Sequence, residues 1–221
     1  RSAILVGANP LTEIVARRLA AAGRTTLVID SLSWRLDSFR AAGLQAVVGD
    51  ARDAATYEEA GVEQDSLVLA ATTNDELNLL VAELVHAEFG VEHPAVAIQQ
   101  PPEELGRRSR GWIDVLGGGS IDVPEWIRAI EAGACTELVV NPRSDAAVAA
   151  LHAAEREHPD GVLRLLGTLR GQPELEVSDD RLPQLDRLVL LVRNGSPLEL
   201  LSPQRLAEEP LSRTVAGHPG P

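Results

Sequence analysis

Between residues 3 and 100, five short and almost wholly apolar runs alternate with four segments of helical spacing, and each helical segment stops at a glycine. The runs are Ala3 to Val6, Thr26 to Ile29, Ala46 to Val48, Leu67 to Ala71 and Ala95 to Ile98. The helical segments are Leu11 to Ala22, Trp34 to Ala42, Ala54 to Ala60 and Asp75 to Phe89, followed by Gly23, Gly43, Gly61 and Gly90 where C-terminal caps belong. A strand without polar alternation is covered on both faces, and strands separated by helices run parallel. The first part of the chain is therefore expected to be an α/β domain with a doubly wound parallel sheet.

The pattern loosens after Gln99-Gln100-Pro101-Pro102. Arg107 to Arg110 is basic, Trp112 to Leu116 reads as a sixth strand, and Gly117-Gly118-Gly119 interrupts it. Pro124 to Ala132 has helical spacing, with Asp122 or Val123 near its start; Trp126, Ile127 and Ile130 form an apolar stripe suited to a neighbouring element or a dimer mate. Beyond it, Glu137 to Val140 reads as a strand and Asp145 to Glu157 as a helix. Val162 to Leu169 and Leu188 to Val192 read as two strands joined through Gly171 to Leu185. The expected organisation is an α/β domain over 1–116, a connecting helix within 117–135, a small α+β subdomain over 136–201, and a disordered tail over 202–221 rich in proline and glycine.

Charge and residue usage narrow the function. Lys+Arg 20 against Asp+Glu 33 gives a net charge of -13, a field that repels a phosphate backbone, so nucleic acid is not an expected partner. Every basic residue is arginine, which excludes Schiff-base chemistry and a P-loop lysine. A single cysteine, Cys135, fits a reducing, cytoplasmic setting. The sequence holds no Met and runs from Arg1-Ser2 straight into an apolar strand, so a piece of a longer chain is expected. No apolar run reaches the roughly 18 residues of a membrane helix.

The first strand-to-helix turn reads Gly7-Ala8-Asn9-Pro10-Leu11-Thr12, where a dinucleotide fold has Gly-x-Gly-x-x-Gly. Only the first glycine is present. Asn9 followed by Pro10 is a good N-cap and first helical residue, yet Pro10 removes one N–H from the anion-facing set and Glu13 adds negative charge. The other strand ends are also polar. Asp30 closes the second strand, placed as a carboxylate for ribose hydroxyls. Gly49-Asp50-Ala51 closes the third strand and Thr72-Thr73-Asn74 the fourth. These carboxyl ends converge on the crevice where open parallel sheets bind ligands.

At these residues the sequence resembles the RCK, or TrkA-N, domain, the cytosolic nucleotide-sensing module of potassium channels, potassium-uptake systems and cation/proton antiporters. The resemblance runs from Ala3 to about Gln100 through Val28-Ile29-Asp30, Val48-Gly49-Asp50-Ala51, and Ala70-Ala71-Thr72-Thr73-Asn74-Asp75-Glu76-Leu77-Asn78. Thr136 to Val192 resembles the family's C-terminal subdomain by pattern, with Asp186 to Val192 as its closing strand. Within the family, Val6 to Pro10 and Asn74 to Asn78 look most like the cytosolic C-terminal regions of bacterial sodium/proton antiporters.

The resemblance implies a Rossmann-like first lobe and a regulatory, non-enzymatic function: sensing an adenine nucleotide and gating a Na+ or K+/H+ antiporter. It implies a nucleotide site at Gly7, Ala8, Asn9, Pro10, Leu11, Asp30, Ser31, Asp50, Ala51, Thr72 and Thr73, with no catalytic residue and no metal. The ligand would be AMP, ADP, ATP or NAD(H), or none; Asn9 and Thr12 favour an AMP-like molecule over NAD. The implied partners are a membrane transport domain, of the same or another chain, and further copies in a homodimer or larger RCK assembly. The location would be cytoplasmic, at the inner face of the cell membrane. The alternatives are a regulatory subunit of a potassium-uptake system or channel and, from another class, an NAD-dependent oxidoreductase. The latter lacks a Lys, Tyr or His placed as proton donor, Tyr57 lying on a helix.

Other signals are set aside. His152, Glu155 and His158 are spaced around a helix rather than paired at i, i+4 and read as a solvated face. Cys135 reads as a boundary residue, Ser120 lacks a nucleophile elbow, and Arg107, Arg108 and Arg110 read as a solvated connector. Glu58-Glu59 and Asp179-Asp180 are minor candidates for a divalent-cation site between subunits.

Overall fold

The computed structural model describes residues 2–101, 111–196 and 198. The basic Arg107–Arg110 run and the 202–221 tail lie outside them.

In the first lobe, β1 (Ser2–Val6), β2 (Thr25–Asp30), β3 (Gln45–Val48), β4 (Leu67–Ala70), β5 (Ala95–Val96) and β6 (Asp114–Val115) form a parallel sheet in the order β3-β2-β1-β4-β5-β6. This is the doubly wound arrangement, with the order reversing beside β1. The helices are α1 (Pro10–Ala21), α2 (Asp37–Ala41), α3 (Ala54–Glu59) and α4 (Asp75–Phe89). The period of two along each strand sorts its side chains between two cores. Ala3 and Leu5 of β1 join Leu11, Val15 and Leu19 of α1 and Phe39 of α2 on one face. Ile4 and Val6 join Tyr57 of α3 and Val81 and Val85 of α4 on the other. The glycines after the four helices all have positive φ, as their cap positions require.

One expected helix is not continuous. Ser33–Leu36 is a 3-10 turn, and only Asp37–Ala41 is α-helical. Neither segment has a side-chain N-cap, Leu32 and Leu36 standing at the cap positions. The tighter first turn leaves Trp34 66% exposed.

The connecting helix α5 (Val123–Glu131) starts at Asp122, whose carboxylate accepts from Glu125 N–H at 2.9 Å. Its stripe is used within the chain. Trp126, 4% exposed, packs in the core shared with α1 and the second lobe, and Ile127 and Ile130 pack against that core.

In the second lobe, β7 (Cys135–Val140), α6 (Asp145–Glu157), β8 (Val162–Leu169), β9 (Gln172–Glu174) and β10 (Arg187–Arg193) give an antiparallel sheet in the order β7-β10-β8-β9. The last strand in sequence is thus central in space. Its Leu188, Leu190 and Val192 face α6, while Val189 and Leu191 face the first lobe. The stretch from Gly171 to Leu185 is more than a joint. Arg170 (φ 50) and Gly171 (φ 76) make the two-residue turn that pairs Leu169 with Gln172. Positive φ at both central residues is the type I′ signature.

Candidate functional site

The carboxyl ends of β1, β2, β3 and β4 meet at a cleft of about 1240 Å³. Its β1 edge is set by Gly7. With φ +98 and its ideal Cβ position only 2.9 Å from Thr72 Cγ2, Gly7 admits no side chain, and the β1 and β4 ends can close on each other. Gly7 N–H bonds Ile29 O at 2.9 Å, and Ala71 N–H bonds Val6 O at 3.0 Å.

Asn9 organises the next turn. In extended conformation (φ -154), its Oδ1 accepts from Leu11 N–H at 3.0 Å and Thr12 N–H at 3.1 Å, while its Nδ2 donates to Ala71 O at 2.8 Å. Thr12, fully buried, accepts from Asn9 N–H at 3.0 Å and donates to Gly7 O at 2.6 Å. The two departures from the glycine pattern therefore form a reciprocal capping box. The side chain of Leu11 lies in the core under α1, away from the cleft, because it starts the buried stripe of that helix.

Asp30 is 9% exposed, and its carboxylate accepts from Ala8 N–H at 2.8 Å and Leu32 N–H at 2.9 Å. Arg35 Nη1 lies 4.0 Å from it. Asp50 is held differently. Arg52 bonds both its oxygens, at 2.9 and 2.7 Å, and Arg52 N–H also bonds it. These bonds hold the Asp50 carboxyl well below the usual range, at about 2. Thr56 Oγ1 donates to Asp50 O, and the buried Tyr57 hydroxyl donates to Ala51 O at 2.7 Å. Burial, then the Asp50 charge, pushes Tyr57 above its ordinary range.

The β4 edge depends on Asn78, fully buried on α4. Its Oδ1 accepts from Thr72 N–H (2.9 Å) and Oγ1 (2.6 Å), and its Nδ2 donates to Thr72 O (3.1 Å) and Ala97 O (2.7 Å). Three of the bonds hold Thr72 in the turn after β4, and the fourth ties it to Ala97 just beyond β5.

Of the expected site residues, Gly7, Ala8, Asn9, Pro10, Asp30, Ser31, Asp50, Ala51, Thr72 and Thr73 line the cleft. Trp34, Arg35 and Arg52, with Glu76, Leu80 and Glu83 of α4 and Ile127 and Glu131 of α5, also line it and were not foreseen. The i, i+4, i+7 spacing of Glu76, Leu80 and Glu83 was a readable signal of one helix face. Nothing local marks Ile127 or Glu131, which reach the cleft through the packing of α5 on α1.

The residues set aside have other occupations. Arg164, 7% exposed, bonds Glu155 (2.7 and 2.8 Å) and Val177 O (3.0 Å) and pairs with Asp179 (2.7 Å); His152 bonds Asp179 at 3.1 Å. This face of α6 is engaged with the sheet rather than solvated. Burial pushes the Cys135 thiol up. Among the described residues no His/Cys/Asp/Glu group is placed to hold a metal ion, and no helix is long and apolar enough to cross a membrane.

A doubly wound sheet with its polar cleft at the switch point, followed by a small antiparallel domain, defines a first lobe of the Rossmann class. Residues 3–111 match the TrkA-N domain family, so the first lobe is a domain of that family. Three solved structures are similar to it. The TrkA-N domain of the inner membrane protein ybaL from Escherichia coli is 20% identical, with a TM-score of 0.46 over 59% of this chain and 94% of that one. The GsuK RCK domain is 15% identical, with a TM-score of 0.44 over 95% of this chain and 48% of that one. The GsuK channel bound to NAD is 14% identical, with a TM-score of 0.44 over 95% of this chain and 40% of that one. The chain thus spans about half the length of the GsuK RCK domain. No curated protein matches it.

Proposed function

We propose that the chain is the regulatory, non-enzymatic part of a cation transport system, a Na+ or K+/H+ antiporter, and that its cleft binds an adenine nucleotide of AMP size. One observation carries the ligand reading: the buried Asp30 carboxylate at the mouth of the cleft, oriented by Ala8 and Leu32 N–H. A carboxylate has about four acceptor directions, and two backbone donors leave others for ribose hydroxyls. The capped α1 terminus favours a mononucleotide over NAD. The antiporter assignment rests on the resemblance of Val6 to Pro10 and Asn74 to Asn78 to antiporter cytosolic regions.

The non-enzymatic reading is supported by what the cleft's ionisable groups already do. Asp30 is bonded to backbone and Asp50 to Arg52, while Tyr57 is buried in the core outside the cleft lining and bonded to Ala51 O. Regulation then works through differential affinity, the nucleotide binding one arrangement of the assembly better than another. Thermal shift of the chain with AMP, ADP, ATP, NAD and NADH tests the site. AMP is expected to raise the melting temperature, and no shift with any of them sinks the ligand reading. Asp30→Ala is expected to weaken AMP binding about ten-fold or more through lost charged hydrogen bonds. Unchanged affinity would mean that the ribose lies elsewhere. Hydride transfer between NADH and any substrate would overturn the non-enzymatic assignment.

A further inference from the structure

We infer that the cleft recognises the uncharged part of its ligand, a purine nucleoside, and that phosphate groups weaken binding rather than strengthen it. The inference rests on the adenine-ligand reading above and specifies which part of the ligand supplies the affinity.

Helix N-termini hold phosphate through unsatisfied N–H groups and the positive end of the helix dipole. At α1 those donors are spent. Pro10 has none, Leu11 and Thr12 N–H both bond Asn9 Oδ1, and Glu13 N–H bonds Asn9 O at 3.0 Å. The Asn9 carboxamide stands where a phosphate oxygen would sit, and its own Nδ2 is fastened to Ala71 O. Displacing it would break three hydrogen bonds. Glu13 then places a carboxylate of the first helical turn on the cleft wall.

The remaining charge has the same sign. Glu13, Asp30, Asp50, Glu76, Glu83 and Glu131 line the cleft, and among the described lining residues they face only Arg35 and Arg52 as cations. Arg52 is bidentate on Asp50, and Arg35 is within 4.0 Å of Asp30. Neither guanidinium is free of a carboxylate, and Glu13 is paired with Arg17, outside the lining, at 2.6 Å; Glu76, Glu83 and Glu131 remain in excess of these cations, so an entering phosphate meets net negative potential.

A nucleoside is better served. Asp30 supplies acceptors for ribose hydroxyls, and Trp34, four positions further along and 66% exposed, offers an aromatic surface on the cleft wall. Stacking on an aromatic side chain stabilises any base and needs no charge.

The test is calorimetric titration of the full 221-residue chain with adenosine, AMP, ADP and NAD at low and high salt. Adenosine is expected to bind about ten-fold tighter than ADP at low salt, and added salt is expected to tighten ADP while leaving adenosine unchanged, because screening relieves repulsion. Glu13→Gln narrows the gap, and Asn9→Gly, which frees two N–H groups at little cost to the cap, narrows it further. AMP or ADP binding as tightly as adenosine or tighter, or weakening with salt, overturns the inference while the adenine-ligand reading stands. Failure of all four ligands to bind overturns both. The wild-type ranking decides the matter even where a variant does not fold.

Discussion

The two lobes handle buried polar groups in opposite ways. In the first, every strand points the same way, so the carboxyl ends of β1 to β4 lie along one edge and their polar residues gather in one cleft. In the second, neighbouring strands alternate in direction, and the polar strand ends are split between two edges. Its buried guanidinium, Arg164, sits on β8 itself and is satisfied in place by Glu155, Asp179 and Val177 O. Direction of pairing thus decides where polarity can accumulate. The parallel lobe has a polar cleft; the antiparallel lobe has a cross-linked core.

Substitutions can break or sharpen this contrast. Leu190→Ala, on the central strand of the second lobe and fully buried against α6, is expected to cost about 3 kcal/mol or more in urea unfolding, with room left for a cavity. Because Val189 and Leu191 pack into the core shared with the first lobe, unfolding should remain one transition. Two transitions would show lobes more independent than their shared core implies. Next in size, Asn78→Ala is expected to cost about 2 kcal/mol by stranding Thr72 N–H and Ala97 O, although it removes no apolar contact. A loss of a few tenths would mean that the first lobe does not depend on its polar turns.

The smallest effect is expected at the lobe junction. Asp114 is pushed up to about 6, first by burial; His93 opposes this, Glu176 and Glu174 add to it, and Arg181 opposes it. A carboxyl whose folded value lies above its ordinary value of 3.8 favours the fold while protonated. That contribution is complete below about pH 4 and is lost as pH rises through 6. Asp114→Asn should therefore flatten the fall in stability over that window and add about 1 kcal/mol at pH 7. A variant that keeps the wild-type slope would place the titration on another group.

The first lobe was largely legible in the sequence because its inner strands are covered on both faces and its helices end at glycine, two local signals that agree. Asp145–Glu157 and Asp75–Phe89 were equally clear, each beginning after a capping residue, Ser144 or Asn74. The β9 strand was not, since Gln172-Pro173-Glu174 carries little strand propensity and is held by pairing with Gly167 to Leu169. At the site, the strand-end residues were legible and the helix-borne walls were not. What Asn9 does there was half visible: its capping role followed from Pro10, but its bond to Ala71 O spans 62 positions and needs the fold.

The connecting helix has a consequence beyond linking the lobes. Ile127 and Glu131 line the cleft, whereas Trp126 is buried on the second lobe, where Arg193 of β10 stacks over its ring at 5.0 Å and bonds Glu125 at 3.0 Å. Cleft and second sheet therefore share a partition one helix thick. A few degrees of roll in that partition would change the shape of the chamber on one side and the footing of a strand on the other, with no slack segment between them to absorb the motion.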